Sequence, residues 1–178
     1  MTQTKRIYLD VDGVLNCVAA APSPEESGWH TDSWNLQKIN GFPILWSSEL
    51  VSAINDIVAD GVEIRWLTTW CEFAQELIAP ALGLVGGDRW ELTGGVTSQE
   101  ADLRAHRSFG WWKLPIFEAD DRPGKSVWID DDHDDYTSGR SQTVIEMESD
   151  GSLLRVKPDE WVGLTRDHIT EIRNFLEI

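Results

Sequence analysis

Polar side chains that can bind a metal ion or a phosphate group follow three short apolar segments of the sequence. They are Asp10 and Asp12 after residues 7–9, Thr68 and Thr69 after residues 62–67, and Asp130, Asp131 and Asp132 after residues 126–129. Short apolar runs of this kind are typical of buried parallel strands. Because ligands bind outside the carboxyl ends of parallel strands, we expect these side chains to meet at one edge of a sheet.

The charge of such an edge indicates its chemistry. Asp10 and Asp12 are two residues apart, so their side chains point to the same side of an extended chain. Carboxylates from neighbouring strand ends repel each other in a half-buried cleft, and a hard divalent cation removes that conflict. Oxygen ligands in octahedral geometry suit Mg²⁺. Such a site can hold a phosphate while one carboxylate attacks phosphorus and another transfers protons.

Four motifs in this order resemble those of the haloacid dehalogenase-like (HAD) phosphohydrolases. The matching residues are the segment Asp10-Val11-Asp12-Gly13-Val14-Leu15-Asn16, the strand-terminal Thr68, a following lysine, and the paired acids after residues 126–129. A narrower resemblance, to small bacterial and phage HAD proteins, rests on residues 66–70, 112–115, 128–131 and 163–165. Those proteins are similar to the HAD domain of multi-domain RNA-repair proteins.

The resemblance implies a catalytic role for four residues. Asp10 would be the nucleophile and would form an aspartyl-phosphate. Asp12 would act as general acid toward the leaving oxygen and then as general base toward water, with its backbone carbonyl on the metal. Thr68 would hydrogen bond to the transferring phosphoryl group, and Lys113 would neutralise that group and the nucleophile. Lys125, just before the strand at 126–129, is an alternative to Lys113.

The resemblance also implies metal ligands in the acidic run. Asp131 would be the acidic ligand besides Asp10. Asp130 would be a further ligand, or it would contact the ligands without binding the metal itself. Strand alternation does not decide between Asp130, Asp131 and Asp132 if the strand already turns there. His133 lies near these acids in sequence, but a surface position is the favoured interpretation.

Apolar periodicity predicts strands that alternate with helices. The predicted strands are residues 7–9, 62–67 and 126–129, with further candidates at 143–145 and 153–156 and a short extended piece at 44–46. The predicted helices are residues 48–59, 71–79, 111–117 and 167–176. Right-handed crossovers between such strands give a mainly parallel sheet with helices on both faces. We therefore expect an α/β fold of the Rossmann-like, three-layer α/β/α type found in HAD proteins.

A length of 178 residues predicts one domain that spans residues 1–178. Residues 17–43 are interpreted as a loop-like flap and residues 83–110 as a short, irregular insertion. Larger HAD enzymes carry a cap domain at one of these two places. Both segments are short here, so the resemblance implies an enzyme with a minimal cap or none, and an open cleft.

The charge balance limits the choice of partners. Fifteen lysines and arginines against thirty-one acids give a net charge of −16, which repels nucleic-acid backbones and anionic lipid over most of the surface. No apolar run has the length of a membrane span, and the N-terminus lacks the pattern of a signal sequence. Two cysteines cannot form a disulfide framework. These features predict a cytoplasmic protein that does not bind a membrane.

The predicted substrate is a phosphomonoester, since a phosphatase needs only one phosphate in its cleft. The narrower resemblance favours a nucleotide or a nucleic-acid terminus, on whose base Trp70, Trp29 or Trp34 would stack. Two alternatives stay open at this point. The chain would be a non-catalytic module that binds a phosphorylated partner, or it would transfer the phosphoryl group to an acceptor other than water.

Overall fold

The computed structural model describes residues 4–18, 20–97, 111–121, 124–133 and 141–178. Within these residues, four strands form a central, fully parallel sheet in the order β4-β1-β5-β6. Their bounds are Lys5–Leu9 (β1), Glu63–Trp66 (β4), Lys125–Ile129 (β5) and Leu153–Val156 (β6). The predicted parallel sheet is therefore confirmed, and β1 lies between the strands that carry the second and fourth motifs.

Helices connect the strands of this sheet and flank it. Their bounds are Pro24–Ser27 (α1), Ser48–Ala59 (α2), Ala79–Leu82 (α3), Lys113–Ala119 (α4), Gln142–Ser149 (α5) and Arg166–Leu176 (α6). A π-helical turn at Ala74–Ile78 leads into α3, and 3₁₀ turns occupy Thr31–Ser33, Gly87–Arg89 and Thr93–Gly95. None of the helices described is long and apolar enough to cross a membrane.

Side chains alternate between the two faces of the sheet, which gives two separate apolar clusters. On β1, Ile7 and Leu9 pack with α2, α3 and α6, whereas Tyr8 packs on the opposite face with α4 and α5. On β5, Trp128 lies on the same face as Tyr8, stacked 4.8 Å from the ring of Trp111. Helices thus cover both faces of a fully buried sheet, which confirms the Rossmann-like α/β arrangement of HAD proteins.

Residues 17–43 contain more regular structure than the predicted loop-like flap. Strand β2 (Trp34–Ile39) pairs antiparallel with β3 (Phe42–Ser47) and forms a hairpin outside the central sheet. Its two turn residues, Asn40 and Gly41, have φ angles of 49° and 89°. Left-handed backbone at both positions matches the twist of the strands, and Asn-Gly is the preferred pair for it. This dipeptide was the available sequence signal for the hairpin.

The strand candidate at residues 143–145 is wrong, because this segment lies inside helix α5. The side chain of Ser141 accepts a hydrogen bond from the backbone N–H of Val144 and so caps the helix start. Val144 is fully buried while Ile145 is 42 % exposed, as expected for one apolar stripe on a helix rather than for a buried strand. A three-residue β-branched run is too short to distinguish the two.

Helical backbone also passes through Pro80, where the sequence predicts an interruption. The N–H of Ala79 donates to the carbonyl of Ala74, the five-residue spacing of a π turn. Pro80 then falls in the first turn of α3, where its missing N–H costs no helical hydrogen bond. Of the predicted irregular insertion at 83–110, residues 98–110 lie outside the described part of the chain.

Candidate active site

Three strand ends bring the predicted site residues to one edge of the sheet. The last residue of β1 is in register with Trp66 of β4 and with Ile129 of β5. Asp10 follows β1 directly, Thr68 lies two residues beyond β4, and Asp130 follows β5. Because the strands are parallel and adjacent, these three side chains start from neighbouring positions at the carboxyl edge.

Lys113 links two of these carboxylates. This lysine begins helix α4, is 1 % exposed, and its Nζ donates to Oδ2 of Asp10 and, at 2.7 Å, to Oδ2 of Asp130. The other oxygen of Asp10 accepts the backbone N–H of Val11 at 2.7 Å. Burial alone would lower the pKa of Lys113, but the two carboxylates outweigh it and raise that pKa. The ammonium group is therefore charged throughout the physiological range.

Asp10, Asp130 and Asp131 form a cluster that matches the donor set of a divalent cation. Each offers one carboxylate oxygen, and these oxygens lie within 4.8 Å of one another. Three carboxylates against one ammonium leave two negative charges, as many as a divalent cation neutralises. Burial, with the charges of Asp10 and Asp132, raises the pKa of Asp131 to about 6. That repulsion indicates a site suited to a bound cation with oxygen ligands.

The turn that follows β5 gives the residues of the acidic run different environments. Asp130 is fully buried, and burial, partly offset by Lys113, raises its pKa well above the ordinary value. Oδ1 of Asp130 accepts the backbone N–H of Asp132 at 3.1 Å, which turns the chain after Asp131. His133 is 1 % exposed, with Nε2 3.0 Å from the carbonyl oxygen of Trp128. The expected surface position of His133 is therefore wrong, because its ring packs on the indoles beneath the sheet.

Asp12 does not belong to the cluster of Asp10, Asp130 and Asp131. Two neutral donors hydrogen bond to its carboxylate instead. Its Oδ1 accepts the side-chain N–H of Asn16 at 2.7 Å, and its Oδ2 accepts Nε1–H of Trp70 at 2.8 Å. Sequence reasoning missed both contacts. Asn16 lies four residues after Asp12 in the first motif, and the turn at residues 13–15 brings the two residues together in an isolated bridge. The contact from Trp70 spans 58 residues and carries no local signal.

Thr68 keeps a hydroxyl proton available at the same edge. Its side chain is 3 % exposed, and its Oγ1 accepts the backbone N–H of Trp70 at 3.3 Å. A hydroxyl that accepts one bond still has its own proton to donate. Cys71 follows with a φ of 48°, a conformation that only a well-supported turn maintains in a non-glycine residue. This turn sets the direction of both Thr68 and Trp70.

The other residues considered from the sequence lie away from the site. Lys125 starts β5 at the opposite edge of the sheet, where its Nζ donates to the carbonyl oxygen of Phe175 at 2.9 Å. Trp29 is 1 % exposed and belongs to the core, and Trp34 packs against the same cluster. Both cysteines are buried and neither forms a disulfide, and Cys71 lies in the turn that follows Thr68.

Gly13 permits the close approach of Asp131 to the first motif. Its φ is 66°, and a Cβ atom there would lie 2.3 Å from Cγ of Asp131. We expect Gly13→Ala to lower stability by about 1–3 kcal/mol through backbone strain alone, and further by displacing Asp131. The displacement should also raise the Mg²⁺ concentration needed for half-maximal phosphate release, measured by metal titration.

Gly61→Ala is the matched control for this substitution. Gly61 has a φ of 84° but nothing within 4 Å of its ideal Cβ position, so it reports the backbone strain without the collision. If both variants require the same Mg²⁺ concentration as the unmodified protein, the contact between Gly13 and Asp131 does not shape the metal site.

Comparison with known proteins bears on this geometry. The model of a family described as "HAD domain in Swiss Army Knife RNA repair proteins" matches residues 6–169. The chain belongs to this family. The matched span contains every residue that the sequence predicts for this HAD site, from Asp10 to Asp131. Searches among curated proteins and among solved structures gave no significant match.

Proposed function

We propose that this HAD protein is a Mg²⁺-dependent phosphomonoester hydrolase that acts through an aspartyl-phosphate on a nucleotide or a nucleic-acid terminus. The observation that carries the proposal is the group formed by buried Asp10, Asp130 and Lys113 with half-buried Asp131 at one edge of the sheet. A module that only binds phosphate has no need of a nucleophilic carboxylate beside a cation site. The family description, with its reference to RNA repair, supports a nucleic-acid substrate.

In the first proposed step, Asp10 attacks phosphorus. The bond from Asp10 to phosphorus forms while the bond to the leaving oxygen breaks, and Asp12 gives its proton to that oxygen. The hydroxyl group of Thr68 donates a hydrogen bond to a phosphoryl oxygen. The Nζ of Lys113, already bonded to Asp10, neutralises charge on the transferring group, and such fixed electrostatic stabilisation is a large contribution to phosphoryl transfer.

In the second step, a water molecule attacks the phosphorus of the aspartyl-phosphate. Asp12, now ionised, takes the proton of that water, and the bond to Asp10 breaks to release inorganic phosphate. This exchange returns Asp10 to the carboxylate and Asp12 to the protonated acid. The bonds from Asn16 and Trp70 fix Asp12 so that its position is the same in both half-reactions.

The resemblance to HAD proteins implies the metal ligands, and the grouping of the Asp10, Asp130 and Asp131 carboxylates supports them. Asp10 and Asp131 would hold Mg²⁺ together with the backbone carbonyl of Asp12, and Asp130 would act as a ligand or orient Lys113. When bound, Mg²⁺ would offset the negative charge of the phosphate and of the surrounding carboxylates. Asp131 lies within this charge, because its carboxylate oxygen is within 4.8 Å of carboxylate oxygens of Asp10 and Asp130.

The experiment is a phosphate-release assay with a generic aryl phosphate, nucleoside monophosphates and short oligonucleotides phosphorylated at either end. Release should require Mg²⁺, stop with a chelator and return when Mg²⁺ is restored. Organic phosphate products formed with added alcohols would instead indicate transfer to another acceptor. Binding of phosphorylated ligands without turnover of any compound would contradict the proposal and favour a non-catalytic module.

A further inference from the structure

A cleft of about 350 Å³ opens directly beside Asp12. It is lined by Asp12, Asn40, Phe42, Thr69, Trp70 and Phe73. The β2–β3 hairpin supplies one wall, and the turn after β4 supplies the other. The cleft therefore lies between the β2–β3 hairpin, which sequence reasoning missed, and Asp12 of the first motif.

The walls of this cleft present aromatic rings. Phe42 is 60 % exposed although it is a large apolar side chain, and its ring meets that of Trp70 edge to face at 5.8 Å. Trp70 is held in place by its bond to Asp12, and Phe73 completes the lining from the following helical segment. Trp70 is only 9 % exposed, so Phe42 is the ring whose face is open to stack on a flat ligand at the cleft mouth.

The position of the cleft identifies which part of the substrate it meets. In the proposed mechanism Asp12 protonates the leaving oxygen, so the leaving group must lie next to Asp12. The cleft begins at that carboxylate, whereas the phosphate lies at Asp10 and Lys113. The group that enters the cleft is therefore the part of the substrate that departs after phosphoryl transfer.

The charge of the lining limits the leaving group further. Among the described residues that line the cleft, none is cationic, so nothing there compensates the charge of a second phosphate. The net charge of the chain, −16, adds to the repulsion of a second phosphate. A leaving group with further phosphates at this point is disfavoured, whereas a neutral, flat group is accepted.

We propose that this cleft is a nucleobase subsite, and that the preferred substrate is a nucleoside that carries a single terminal phosphate. The inference rests on the proposed hydrolase function. The base stacks on the exposed ring of Phe42 and meets the largely buried Trp70 at its edge, and Asn40 supplies a side-chain amide at the rim that can donate and accept hydrogen bonds along the base edge. A free mononucleotide and the last nucleotide of a strand share this chemistry.

The test compares kcat/KM for substrates that differ only in the base or in the number of phosphates. A nucleoside 5′-monophosphate should exceed ribose 5-phosphate by roughly 5- to 150-fold, the range given by one stacked base. The corresponding triphosphate should be a poor substrate. A dinucleotide and a longer oligonucleotide, each with one terminal phosphate, distinguish a mononucleotide substrate from a strand end.

Variants of Phe42 locate the base. Phe42→Leu should reduce the ratio of nucleotide to ribose phosphate turnover by about 10-fold, mostly through KM, whereas Phe42→Trp should retain it. Val85→Ala is the control, because Val85 is 60 % exposed, as Phe42 is, but lines neither of the two clefts that contain Asp12 and Phe42.

Three results would overturn the inference. They are equal kcat/KM for nucleotide and ribose phosphate, a ratio unchanged in Phe42→Leu, and a larger loss in Val85→Ala than in Phe42→Leu. Each of these three results can be interpreted only if the protein hydrolyses ribose phosphate or the aryl phosphate. If no phosphate is released from any compound, the proposed function fails instead, so the two failures are distinguishable.

Discussion

Asp10→Asn should reduce phosphate release by at least about 10³-fold, because the amide has no nucleophilic oxygen to attack phosphorus. The local geometry makes the amide a poor fit as well. Both polar partners of the Asp10 side chain, the N–H of Val11 and the Nζ of Lys113, are donors. An asparagine NH₂ group must therefore face one of them. Rapid-quench mass spectrometry of the unmodified protein should show one added phosphoryl group, removable by hydroxylamine, that is missing from the variant.

Asp56→Asn is the matched control, since it makes the same carboxylate-to-amide change on the exposed side of helix α2. It should leave both turnover and melting temperature unchanged. Thermal melts of Asp10→Asn keep the test interpretable, because a folded variant without activity separates chemistry from stability. Turnover of a folded Asp10→Asn protein at the unmodified rate would exclude Asp10 as the nucleophile.

The strand-terminal residues could be predicted from the sequence because each follows a short apolar run. A buried parallel strand needs no alternation, so the runs before Asp10 and Asp130 stand out, and parallel order alone brings their ends to one edge. The helix at Ser48–Ala59 and the strand at Leu153–Val156 have the predicted bounds. In these cases the local signal and the tertiary environment agree.

The missed features depend on contacts between distant parts of the chain. Strand β2 has four exposed residues in succession, so it lacks an apolar face, and its partner β3 supplies the hydrogen bonds. His133 is buried by indoles from two other segments. The bond from Trp70 to Asp12 likewise joins two strand ends. Neither spacing nor composition predicts the burial of His133 or the bond from Trp70 to Asp12.

Lys113→Met should abolish turnover and also lower the free energy of unfolding by about 3–5 kcal/mol. The lysine is 1 % exposed and compensates Asp10 and Asp130, which are also buried. Removal of one partner from a buried ionic group leaves uncompensated charge, which costs more than the loss of the contact itself. Because a divalent cation can replace part of the missing charge, Mg²⁺ should raise the melting temperature of this variant more than that of the unmodified protein.

Two further variants separate the structural role of Lys113 from its chemical one. The double variant Lys113→Met/Asp130→Asn removes one of the unpaired charges and should recover much of the lost stability without recovering turnover. Lys125→Met is the matched control, because that lysine contacts Phe175 and Glu177 at the far edge of the sheet. Lys125→Met should change kcat by less than about 2-fold, because solvent screens the charge of this distant lysine from the active site. Should the double variant regain turnover together with stability, Lys113 would serve the fold alone and the phosphoryl group would need another cation.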